Sequence, residues 1–300
     1  MVELVTIAFL NVFMSIGQAG ASARHEPAAG AAVASPANPD RPTAREELIQ
    51  LATAIQRADY EDDRPGLQRL FESAGRFGEQ PELAPYAHYW RGFAMWRRTV
   101  NGFNDAVDGQ ELESDLLIAI DEFQQAEKLK PDFADALIGE AGCEMNLIYV
   151  HRNNTDAMRK DIVASAQLVK RIQSLAPDNP RFLWIWGASL WTRPVQAGGS
   201  QTKAFEAYRH GLAVLKSDLS PAESGLAPGW GEPELLMSLA WSNLNASSPD
   251  PTAAEKYALA ALQIVPRWHY VRDILLPQIV KAKSTDGKTS SLESTQTPKM

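Results

Sequence analysis

One spacing recurs along the chain and restricts its fold more than any other feature. Ala119, Phe123, Ala126 and Pro131 are separated by four, three and five positions, and Ala254, Ala258, Ala261 and Pro266 repeat the series without a gap, with alanine where the aromatic residue stood. Ala204, Tyr208 and Gly211 supply its first three positions again, with Lys216 at the place of the proline. Steps of three and four put every member of a set on one face of an α-helix. Small residues on that face let a second helix approach closely, and the proline ends the helix because it has no N–H and clashes with the preceding turn. Helices that pack in close pairs, more than once, are what this pattern specifies.

The rest of the chain agrees. Leu48, Leu51, Ile55 and Ala58 mark one face of a first helix, Leu67, Leu70, Phe71 and Phe77 a second, and Tyr86, Tyr89, Trp90, Phe93 and Trp96 a third. Pro81 and Pro85, Gly102 and Gly109, Pro131, Pro177 and Pro180, Gly198 and Gly199, the stretch Pro221 to Pro233, Pro249 and Pro251, and Pro266 separate the periodic segments. No run alternates polar and apolar residues around a hairpin turn, so an all-α fold is expected. Partner helices are legible too: Leu183, Trp186 and Gly187 follow Pro177, and Leu236, Leu239 and Ala240 follow Lys216 after a long insertion.

The series small-x3-aromatic-x2-small-x4-Pro resembles the second helix of a tetratricopeptide repeat, and the resemblance covers about Tyr86 to Ile279, with a degenerate capping pair before it. It implies an irregular α-solenoid of about four to five antiparallel helical hairpins, whose first helices form a concave surface that docks peptides or partner proteins. The positions 131, 177, 216 and 266 are 46, 39 and 50 residues apart, against about 34 in a regular repeat, so each unit carries a longer loop. Long loops together with export are similar to the periplasmic T-component proteins of TRAP-type transporters. That narrower likeness implies a small carboxylate ligand in an enclosed cavity lined by aromatic residues and Arg.

Export is expected from the N-terminus. Leu4 to Ile16 is a mostly apolar run interrupted only by uncharged residues, and Ala21-Ser22-Ala23 offers small residues at the positions a signal peptidase reads. Residues 1–23 thus read as a signal peptide, atypical in lacking a basic n-region, with cleavage after Ala23 and a periplasmic or secreted destination. Residues 24–42 are an Ala/Pro-rich linker, 43–283 the helical repeat domain and 284–300 a polar tail, both flanks being too poor in large apolar residues to repay ordering. No other stretch is long and apolar enough to span a bilayer. A net charge of -8 with scattered Lys and Arg argues against nucleic acid. Cys143 stands alone, which excludes an internal disulfide, and its place in a first helix suits a buried filler.

The chain carries no nucleophile elbow, no phosphate-binding Walker loop and no His-Glu-x-x-His, and its five histidines never pair at helical spacing. No enzyme, cofactor or metal centre is expected. Gly198-Gly199-Ser200 reads as a turn and helix cap, and Asp59-Tyr60-Glu61-Asp62-Asp63 as the acidic start of the second helix. Trp184 and Trp191 share a helix face from which Trp186 points away; all three read as core or helix-packing aromatics, the alternative being that one face is packed while the other lines a groove. Polar residues gather at successive first-helix ends: Arg97 and Arg98, His151 and Arg152, Arg193, then Asn243 and Asn245. Arg97, Tyr149, His151, Arg152, Trp191, Arg193, Trp241 and Asn243 are accordingly the candidate ligand or partner site, suited to a carboxylate or an acidic peptide terminus; the rival reading is that cations at helix C-termini stabilise the helix dipole and require no partner. The leading function is a non-catalytic scaffold or adaptor for a protein or peptide; the alternative is a carboxylate-binding accessory protein of a transporter.

Overall fold

A computed structural model describes residues 42–217 and 225–293, so the expected signal peptide and nearly all of the linker lie outside the described residues. Eleven α-helices follow one another among the described residues: α1 Ala44–Tyr60, α2 Arg64–Ala74, α3 Ala84–Asn104, α4 Gly109–Leu129, α5 Ala134–Val150, α6 Thr155–Leu175, α7 Pro180–Thr192, α8 Gln201–Ser217, α9 Glu232–Asn245, α10 Pro251–Ile264 and α11 Leu276–Glu293. No β-strand occurs among the described residues. A π-helical turn, Tyr270–Leu275, leads into α11, which runs past Lys283 into the segment read from sequence as a tail.

Helix ends follow from local chemistry. The Thr43 side chain accepts from the Glu46 N–H while the Glu46 carboxylate accepts from the Thr43 N–H, a reciprocal cap that starts α1. Asp63, Asp108, Asn154, Asn179 and Asp250 cap α2, α4, α6, α7 and α10 through their side-chain oxygens. Ser200 Oγ accepts from the Lys203 N–H at the start of α8, and Gly198 has φ +89, a conformation glycine adopts without steric cost. The glycine turn therefore closes without a ligand.

Helices pack in sequence-neighbouring pairs, α1 with α2, α3 with α4, α5 with α6, α7 with α8 and α9 with α10. Connectors as short as 105–108 and 151–154 oblige packed helices to run back along one another. The first helices also touch in succession, α3 with α5, α5 with α7 and α7 with α9. The repeated spacing explains the closeness. Ala119, Phe123 and Ala126 are fully buried, as are Ala254, Ala258 and Ala261. The Phe123 ring fills the space over Gly139, where a Cβ would come within 2.3 Å of it, and lies 3.0 Å from the same position on Gly92. Tyr208 does likewise over Gly187, at 2.3 Å. Phe123 of α4 thus sits on glycines of α3 and α5, and Tyr208 of α8 on a glycine of α7.

Two features depart from an open array. Residues 225–231 do not loop out; they cross the N-terminal halves of α3 and α7. Leu226 is fully buried against Leu48, Phe77, Leu83 and Ala87, and its carbonyl accepts from Trp90 Nε1 at 2.9 Å. Trp230 is buried, with its ring 5.3, 6.1 and 5.6 Å from those of Phe93, Trp96 and Trp184, and its Nε1 donates to Tyr89 Oη at 2.8 Å. Arg181 holds the segment by donating to the Trp230 carbonyl while pairing with Asp135 of α5. The second departure is that the two ends meet. Tyr60 packs edge-on against Trp268 at 5.0 Å, its O–H donates to Glu234 at 2.6 Å, and Arg267 and His269 approach Glu61 and Asp62 at 3.3 and 3.7 Å. No helix among the described residues is long and apolar enough to cross a membrane.

Candidate functional site

What remains open on the shared face of the first helices is its C-terminal half. Trp96, Val100 and Phe103 of α3, Gly142, Met145, Asn146 and Ile148 of α5, and Trp184, Ile185, Ala188, Ser189 and Thr192 of α7 line a cleft of about 120 Å³. Ala188 and Thr192 also border a smaller recess formed with Trp191, Tyr208, Met237, Ser238 and Trp241. The helical repeat makes this lining inevitable, because residues three and four apart on each first helix face the same side. Trp96 and Trp184 serve both halves of the face, touching Trp230 on one side and bounding the cleft on the other.

Hydrogen bonds fix these rings. Trp96 Nε1 donates to Asn146 Oδ1 at 2.8 Å and Trp184 Nε1 to Ser238 Oγ at 2.9 Å, so neither indole donor is left for a ligand. The Thr192 hydroxyl donates to the Ala188 carbonyl. At the rim the Arg193 guanidinium donates to Ser189 Oγ at 2.7 Å and lies over the Trp186 ring at 5.1 Å. Burial lowers its pKa below the usual guanidinium value. Across the cleft, Phe103 meets Tyr149 edge-on at 5.5 Å, and Arg152 lies over the Tyr149 ring at 4.3 Å.

The sequence-derived edge is therefore divided. Arg193, Tyr149 and Arg152 do not line the cleft: Arg193 reaches it through Ser189 and Tyr149 through Phe103, with Arg152 behind Tyr149, while Trp191 and Trp241 pack together at 5.4 Å in the smaller recess. Asn243 turns back to donate to the Leu239 carbonyl at 2.7 Å. Arg97 is not presented at the edge. It is 3% exposed and donates through Nε to Asp59 Oδ2 at 2.8 Å, with Glu234 close enough to add to its stabilisation. Asp59 accordingly belongs to the buried last turn of α1 and not to an acidic helix start; of that run, Asp63 supplies the cap of α2. Burial pushes the carboxyls of Asp59 and Glu234 up, against the pull of Arg97. This cluster ties α1, α3 and α9 together.

His151 is likewise engaged, with Nδ1 2.7 Å from Asp161 and Nε2 3.1 Å from Glu113. Burial disfavours its imidazolium, but the two carboxylates outweigh that and hold its pKa above the ordinary value. Glu144 nearby is raised to about 7 by burial and by the charges of Asp161 and Glu140. Cys143 is fully buried and its thiol is pushed well up by desolvation. Trp96, Phe103, Met145 and Ile185 escaped the sequence reading as cleft residues, since an apolar face looks the same whether it meets a neighbour or a void. Trp184 was legible only as an aromatic on one face of its helix.

No model of a known protein family matches the chain, and no curated protein matches it significantly. The class is defined by the fold and cleft alone: a helical-hairpin protein whose free face is an aromatic cleft.

Proposed function

We propose that the chain is an exported, non-catalytic binding protein, an irregular α-solenoid of tetratricopeptide-like hairpins whose ends meet, and that it takes a small molecule in the cleft between α3, α5 and α7. The observation that carries this reading is the position of residues 225–231. In a repeat array the face shared by first helices is where a peptide docks; here Leu226 and Trp230 occupy half of that face from within the chain, and the open half is a cleft sized for a small molecule. This favours a solute-binding reading over the scaffold or adaptor reading, in an open cleft and not the enclosed cavity that the transporter likeness implies. Export rests on the apolar run Leu4 to Ile16 and on Ala21-Ser22-Ala23.

Fluorescence tests the cleft directly, because Trp96 and Trp184 line it and bromine quenches indoles on contact. Bromooctanoate should quench saturably, and Ala188→Phe, which fills the cleft from α7, should abolish the saturable part while leaving the urea midpoint nearly unchanged. Quenching that rises linearly without saturation, or is indifferent to Ala188→Phe, would remove the reading.

A further inference from the structure

The chemistry of the occupant can be drawn from the cleft's edges, on the footing that the cleft is a binding site. Its walls are aromatic and aliphatic, and no Asp or Glu is among the residues that line it. Two of its polar side chains keep donors free, while the Thr192 hydroxyl gives its hydrogen to the Ala188 carbonyl. Asn146 accepts from Trp96 through Oδ1, which leaves its amide N–H groups, and Ser189 accepts from Arg193, which leaves its own O–H.

Arg193 is the decisive group. Other arginines drawn into the protein each rest on a carboxylate: Arg64 on Glu111, Arg91 on Glu122, Arg97 on Asp59, Arg98 on Asp115 and Arg181 on Asp135. Arg193 is half-desolvated yet has only a hydroxyl and an indole face as partners among the described residues. A guanidinium in that position gains from an arriving anion, since part of the desolvation has already taken place and the remaining N–H groups form a fork matched to a carboxylate. Arg152, at the opposite edge over Tyr149, also has no carboxylate partner among the described residues, but it is exposed; its attraction is screened by water.

We propose that the cleft binds an amphipathic monoanion, with its apolar body between Trp96, Phe103 and Ile185 and its carboxylate head on Arg193 and Ser189. A dianion would leave one charge against apolar walls, and a cation would meet Arg193 head-on.

Isothermal titration calorimetry of the full chain with octanoate, octanol and octylamine separates this from the broader reading. Octanoate should bind about tenfold or more tighter than octanol, the value of one charge-assisted hydrogen-bonded head, and octylamine should bind weakest. Arg193→Gln should remove that preference and leave octanol affinity unchanged, Arg193→Lys should keep part of it, and Arg152→Gln should change octanoate affinity by less than about threefold. Equal affinity for octanoate and octanol, or an unaltered preference in Arg193→Gln, overturns the head-group assignment while the cleft stands. If none of the three binds, the cleft reading falls and the assignment falls with it. A urea midpoint for each variant confirms that it is folded.

Discussion

Replacing Gly139 by alanine tests the close approach of first and second helices. The new Cβ would lie 2.3 Å from Phe123 Cζ and 2.5 Å from Cε1, and the ring cannot retreat, because it is fully buried and already 3.0 Å from the Cβ position of Gly92. Overpacking of this kind costs about 3 kcal/mol at its upper end, against which alanine in a helix interior gains about 1 kcal/mol over glycine, so the net loss should be about 2 kcal/mol. Phe123→Ala alone should cost about 3–5 kcal/mol. With the ring gone, the methyl has room, and Gly139→Ala should then stabilise by about 1 kcal/mol. The two substitutions are thus coupled by about 3 kcal/mol, from a loss of about 2 in one background to a gain of about 1 in the other. Urea unfolding followed by far-ultraviolet circular dichroism measures all four proteins. A Gly139→Ala cost that is the same with and without the Phe123 ring would refute the packing argument.

Other outcomes follow from the same structure. Trp230→Ala should cost about 3–5 kcal/mol in urea unfolding, because it uncovers an apolar face of α3 and α7; a midpoint unchanged from that of the native chain would refute the packing of that segment. Asp59→Ala should cost about 3 kcal/mol or more in urea unfolding, because it leaves the Arg97 charge in the core with its nearest partner gone; Asp59→Ala as stable as the native chain would dissolve the buried cluster. The carboxyl of Glu144, raised to about 7, gives a pH test. A group whose folded pKa lies above its unfolded one contributes stability at low pH that is lost as pH rises through the folded value. Glu144→Gln should therefore stabilise the chain by about 1–2 kcal/mol at pH 8, after allowance for solvent screening, and leave it unchanged at pH 4. Mass spectrometry of the chain recovered from an envelope fraction should find the mature protein beginning at Arg24.

The helices and their pairing were legible because their cause is local. Ala119, Phe123 and Ala126 lie within two turns of one helix, so a spacing of three and four reports their shared face directly, and Phe123 over Gly139 is its consequence. The site was only half legible. Arg193 and Arg152 stand at the ends of α7 and α5, but α3 runs on to Asn104, so Arg97 lies inside its helix and is buried on Asp59, a residue 38 positions away that no periodicity connects to it. The same holds for Trp230, whose partner Tyr89 is 141 positions distant. A signal was present even so: Gly225-Leu-Ala-Pro-Gly-Trp-Gly holds just two large apolar side chains in a stretch otherwise fit for a loop, and both Leu226 and Trp230 are anchors. A void between three helices has no signature at all, since the residues lining it follow the same period as those in contact.

The most direct test of whether this cleft is where the protein meets its ligand is X-ray diffraction at the bromine edge from crystals grown with bromooctanoate. An anomalous bromine peak is expected between Trp96 of α3 and Ile185 of α7, with carboxylate density within hydrogen-bond reach of Arg193. Bromine found only on the outer helices, with the cleft filled by ordered water alone, would contradict it.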